Sequence, residues 1–118
     1  MTITTRTILL ACALLAATGL ARANDFPTVD RVLYVHECMR NHPGPHFEMV
    51  NKCSCALDRL ADEVKYEDYV SMSTIANAIS IGGERGNDFR DNETLKPQLQ
   101  RWRGLQAKVQ KACFIGPQ

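Results

Sequence analysis

The stretch His46-Phe47-Glu48-Met49-Val50-Asn51-Lys52-Cys53-Ser54-Cys55-Ala56-Leu57-Asp58-Arg59-Leu60-Ala61-Asp62-Glu63-Val64 decides the fold. Val50, Cys53, Leu57, Leu60 and Val64 recur at three- and four-residue spacing, and Phe47 and Ala61 widen the same stripe. That pattern predicts an amphipathic helix with one apolar face. Cys53 and Cys55 stand two residues apart on it. Each helical residue turns about 100°, so their side chains point about 200° apart. They cannot easily bond to each other, and each is aimed at a different neighbour.

Working outward, the same periodicity predicts three more helices. Thr28 can cap the first, which carries Val29, Val32, Leu33, His36 and Met39 at three-four spacing. Asn41-His42-Pro43-Gly44-Pro45 stops it, because Pro and Gly interrupt helix and strand alike. After the short joint Lys65-Tyr66, a third and less regular helix starts near Glu67 and carries Tyr69, Val70, Ile75, Ala78 and Ile79. Gly82 to Asp88 reads as a polar loop. A last helix runs from about Leu95 to Cys113, with Leu95, Leu99, Trp102, Leu105 or Gln106, and Val109 as its stripe. Thr94 can cap it, Pro97 is tolerable in its first turn, and Trp102 reads as a core anchor. There is no alternating strand pattern and no internal repeat. The expected fold is all-α, a small four-helix domain stapled by disulfides.

The staples follow from the helix order. Cys38 ends the first helix and Cys113 the last. The proline turn makes the first two helices an antiparallel hairpin, which brings Cys38 near Cys53 and leaves Cys55 facing Cys113. The favoured pairing is Cys38–Cys53 with Cys55–Cys113. Cys38–Cys55 with Cys53–Cys113 is the alternative, since four cysteines allow three connectivities and spacing does not choose among them.

The N-terminus gives the cysteines their setting. Arg6, the apolar run Ile8 to Leu15 and the small-residue end Ala21-Arg22-Ala23 form a secretory signal peptide over residues 1–23, with cleavage expected after Ala23. The apolar run is shorter than the roughly 20 residues a membrane span needs, and no other segment of the chain could cross a bilayer. Leu9-Leu10-Ala11-Cys12 has the look of a lipoprotein box, but the apolar run continues past Cys12, so Cys12 is expected to leave with the signal peptide. Residues 24–118 then make one domain in an oxidising compartment, a bacterial periplasm. At this size the core is modest and disulfides offset the shortage.

Charge narrows the partners. Cleavage removes Arg6 and Arg22 and no acid, taking the formal charge from +1 to −1. A balance so near zero argues against a dedicated nucleic-acid or anionic-membrane binder. Asp58, Asp62, Glu63, Glu67 and Asp68 cluster mid-chain, whereas only Lys96, Arg101, Arg103, Lys108 and Lys111 follow Glu93. Solvated helix faces explain both groups, and pairing between them is a further expectation.

Two other chemistries compete for the cysteines. His36, His42 and His46 lie close in sequence to Cys38, Met39, Met49, Cys53 and Cys55. Thiolate, thioether and imidazole together suit copper(I) or zinc, and His36, Cys38, Cys53 and Cys55 could supply four ligands. The usual Cys-x-x-Cys spacing of zinc sites is absent, and exported thiols tend to oxidise first. A thiol-disulfide redox role for Cys53-Ser54-Cys55 would need an exposed thiol of low pKa, which a cysteine on an apolar stripe is not. Glu84, Asp88, Asp91 and Glu93 lack EF-hand spacing and read as solvated. There is no phosphate loop, nucleophile elbow or His-Glu-x-x-His, so neither an enzyme nor a cofactor is expected.

One resemblance bears on function. Cys53-Ser54-Cys55-Ala56-Leu57-Asp58, then Tyr66-Glu67-Asp68-Tyr69-Val70 and the terminal Cys113-Phe114, resemble the corresponding runs of small exported bacterial proteins of uncharacterised role. Some of these are encoded near quinoprotein (pyrroloquinoline quinone-dependent) alcohol dehydrogenases. The likeness covers most of residues 24–118 through short motifs. It implies an accessory role in periplasmic alcohol oxidation and carries over no catalytic residue. The expectation is therefore a non-enzymatic periplasmic accessory or protein-interaction domain with another periplasmic protein as its partner. A copper or zinc carrier and a thiol-disulfide redox protein are the alternatives.

Overall fold

The structure is a computed structural model that describes residues 25–117. The expected signal peptide over residues 1–23, with its expected cleavage site and Cys12, lies outside the described residues. Among those described there is no strand. Five α-helices follow in order: α1 (Thr28–Asn41), α2 (His46–Glu63), α3 (Tyr66–Ser80), α4 (Glu84–Arg90) and α5 (Lys96–Ala112), with a 3-10 turn at Glu93–Leu95 before the last. α1 packs on α2, α5 lies against both α2 and α3, and α4 folds onto α3.

The core is built around α2. Met49, Cys53, Ala56, Leu57, Leu60 and Val64 are all buried, with Cys53, Ala56 and Leu60 fully so. Met72 from α3, Val109 from α5, and Cys113 and Ile115 beyond it close the core, and Tyr34, Trp102 and Leu105 pack on its edge. Phe47, expected to widen the buried stripe, is instead 83% exposed. It lies six residues before Cys53, which turns it about 120° from the buried line.

α1 is rotated from its expected face. Val29, Val32 and Leu33 are exposed, and Cys38 is buried with Tyr34, Val35 and Met39 packed beside it. The disulfide to Cys53 sets this rotation: Val29 is nine residues before Cys38, about two and a half turns, and so faces directly away from α2. Pro27, not Thr28, stands at the cap position, and no side chain caps this helix.

The helix count is also corrected, from four to five. Residues expected to form a polar loop make α4. Gly83 turns the chain at φ +76°, a backbone angle that favours glycine. Arg90 then reaches back from the end of α4. Its guanidinium donates to the carbonyls of Ile79 at 3.2 Å, Ile81 at 2.9 Å and Gly83 at 3.1 Å, and also to the Asn87 side chain. Two of those carbonyls end α3, where no intrahelical donor remains. Gly86 is buried beneath this clamp, and a Cβ there would stand 1.9 Å from the Ile81 carbonyl oxygen. Polar bonds rather than an apolar face hold α4, which is why a periodicity reading passes over it.

The N-terminal strap before α1 is firmly seated. Phe26 is buried, with ring centroids 5.4 Å from Tyr66 and 4.9 Å from Tyr69. Beside it, the Asp25 carboxylate accepts the backbone N–H of Tyr66 at 3.2 Å. A segment 41 residues upstream thus satisfies one of the orphan donors that begin α3.

Candidate functional site: the two concavities beside α1

The two disulfides fix the frame. Cys38 bonds Cys53 and Cys55 bonds Cys113, with Cα–Cα distances of 5.8 Å and 5.9 Å. The two cysteines of α2 therefore hold α1 on one side and the end of α5 on the other. The alternative pairing of Cys38 with Cys55 and Cys53 with Cys113 is not the one formed. This arrangement divides the four-ligand set His36, Cys38, Cys53 and Cys55 between two covalent bonds and an exposed imidazole. No group of three or more His, Cys, Asp or Glu able to hold a metal occurs among the described residues. Glu84 and Asp88 sit in α4, Asp91 follows it, and Glu93 pairs with Lys96. The acidic and basic segments do meet, at Lys108–Glu63 (2.7 Å) and Arg101–Asp68 (3.8 Å). Both pairs are exposed and each contributes only about 0–1 kcal/mol.

A cleft of about 690 Å³ opens on one flank of α1, between α1, α3 and α5. Tyr34, Tyr69, Trp102 and Gln106 line it, with Leu33 and Val70 among the exposed residues at its mouth. Tyr69 joins the aromatic groups, its ring centroid 6.5 Å from Tyr34 and 5.7 Å from Trp102. The Tyr34 hydroxyl donates to Gln106 Oε1 at 2.9 Å, and the Tyr66 hydroxyl donates to Asp30 at 2.8 Å. Burial pushes the Tyr34 phenol up to about 12. The bond to the Asp30 carboxylate raises Tyr66, and burial raises Tyr69. All three phenols are therefore held protonated, and those of Tyr34 and Tyr66 are hydrogen-bonded.

A groove of about 680 Å³ runs along the other flank, between α1 and α2. Val35 and Met39 from α1 and Val50 and Leu57 from α2 give it an apolar lining. Arg31 borders it on α1 and Asp58 on α2. His36 and His46 both border this groove, whereas His42 lines the cleft. Between the two concavities, Val29, Val32 and Leu33 form an exposed apolar ridge, 63%, 50% and 59% accessible.

Sequence reasoning missed much of the cleft. Trp102 is half-buried and lines it, besides packing on Tyr69. In sequence Tyr66 reads as part of a joint, and periodicity assigns Tyr34 no role. The available signal was spacing: Tyr66 and Tyr69 are three apart, and Asp30, Tyr34 and Cys38 are four apart on one line of α1. No family model matches the chain, and it has no match among curated proteins or solved structures.

Proposed function

We propose that this chain is a non-enzymatic periplasmic accessory domain that works by holding another exported protein. The observation that carries this reading is the ridge of Val29, Val32 and Leu33, apolar and open on a helix fixed by a disulfide, beside an aromatic cleft. Rigid aromatic walls and an apolar edge with hydrogen-bonding groups behind it are the features of a protein contact surface. A pre-set surface also binds at a lower ordering cost than a flexible one. The metal-carrier and redox readings draw on sulfurs that the two disulfides occupy.

The resemblance of the Cys53–Asp58, Tyr66–Val70 and Cys113–Phe114 runs makes a quinoprotein alcohol dehydrogenase the first partner to test. The experiment is co-purification from periplasm of the tagged wild type beside Leu33→Lys, a change at an exposed position that leaves the fold intact. A partner recovered with the wild type and lost with Leu33→Lys is the expected result. Failure to recover any reproducible partner, or equal recovery with both, rejects the reading.

A further inference from the structure

We propose that the groove between α1 and α2 is the contact surface for a second copy of this chain, in a two-fold symmetric dimer. The inference concerns the opposite flank of α1 from the cleft and does not rest on the partner reading above.

The groove has the make-up of a helical contact left open. Val35, Met39, Val50 and Leu57 line it, and Val32 stands half-exposed on the α1 bank. A face of this kind, made by two antiparallel helices, buries best against another pair of helices, giving a four-helix arrangement.

Its charges point to the occupant. Arg31 stands on the α1 bank and Asp58 on the α2 bank. Neither side chain has an ion-pair or hydrogen-bond partner among the described residues. Their heights along the groove follow from the Cys38–Cys53 bond, which ties the two helices at one level. Arg31 lies seven residues before Cys38 and Asp58 five residues after Cys53, both running away from the turn. At about 1.5 Å per residue they stand roughly 10 Å and 8 Å from the disulfide, so they share a level. A two-fold axis along the groove lays α1 of one copy over α2 of the other. Each Arg31 then meets Asp58 of the second copy, twice over by symmetry. A positive bank and a negative bank at one height are complementary to themselves under this rotation, which is what an isologous interface requires.

The test is sedimentation velocity on the exported, oxidised protein from about 1 to 200 µM, the range suited to a micromolar contact. The wild type is expected to shift from monomer to dimer as concentration rises, and Arg31→Asp or Asp58→Arg alone to weaken the dimer at least tenfold. Mixing the two variants in equal amounts is expected to restore it. One variant then carries acids on both banks and the other bases on both, so every cross-contact is again an opposite-charge pair. Val32→Asp, at a half-exposed position, should also abolish the dimer while leaving the circular dichroism unchanged. A wild type that stays monomeric throughout the range overturns the proposal. So does a dimer indifferent to all three substitutions, or single losses that mixing fails to repair.

Discussion

The Tyr34 hydroxyl, on α1, donates to the Gln106 side chain of α5 at 2.9 Å across 72 residues of sequence, and this bond ties the first helix to the last. The buried phenol that makes it is held up at about 12, against an ordinary value of 10.0. A raised folded-state value means that stability from this group is complete below pH 10 and is lost as pH climbs through about 12. The loss is of order 2–3 kcal/mol, at about 1.4 kcal/mol per pH unit. Phenolate absorbance in the ultraviolet checks it. At pH 10 the folded protein should show clearly less than half of its tyrosines ionised, and the denatured protein about half. Tyr34→Phe should remove the latest-titrating group.

The two disulfides should differ in weight. Cys38–Cys53 closes a separation of 15 residues and Cys55–Cys113 one of 58. Loop-closure entropy makes the longer worth about 1 kcal/mol more. Replacing each pair with alanines and unfolding in urea should give losses of roughly 2–4 kcal/mol, larger for Cys55/Cys113. The reverse order would contradict the entropic account.

Arg90 holds α4 and the end of α3 by its bonds to three carbonyls. Arg90→Ala should release residues 82–91 to fast amide exchange while protection in α2 and α5 stays unchanged. Gly86→Ala should do the same by steric means, because its Cβ would collide with the Ile81 carbonyl. Uniform loss of protection in every helix would show that this corner is not a separate unit.

Phe26 and Val29 are three residues apart and should respond oppositely. Phe26→Ala should cost about 3 kcal/mol, as for a buried aromatic. Val29→Asn should stay within about 0.5 kcal/mol of wild type, as for an exposed position. Thermal melts of the two variants decide.

Phe114, two residues past the end of α5, has φ at +59°, a left-handed backbone angle, while Ile115 N–H donates to the Gln110 carbonyl at 2.9 Å. Glycine is the usual occupant of such a position. Phe114 is 83% exposed, so Phe114→Gly loses little packing and should raise stability by about 1 kcal/mol in urea unfolding.

What the sequence reveals here depends on the kind of force at work. α2 and α5 are legible because burial imposes a three-four period, and Cys53, Leu57, Leu60 and Val109 carry it. The rotation of α1 is not, because Val29, Val32 and Leu33 keep the same period on a face that stays open. Only the bond at Cys38 tells which side turns inward. α4 is hidden for a different reason, since a guanidinium and a buried glycine leave no periodic trace. The cleft is partly visible in its aromatic residues, but the Tyr34–Gln106 and Asp25–Tyr66 bonds join distant segments and have no local signature.

The spacing of Cys53 and Cys55 also acts as a ruler that evolution cannot easily reset. One codon inserted between them would swing Cys55 by about 100°, away from Cys113, while Cys53 kept its hold on α1. Substitution at Ser54 leaves the ruler intact, since only the length of the interval matters. Descendants of this gene should therefore gain or lose residues in the connecting turns and never between these two sulfurs.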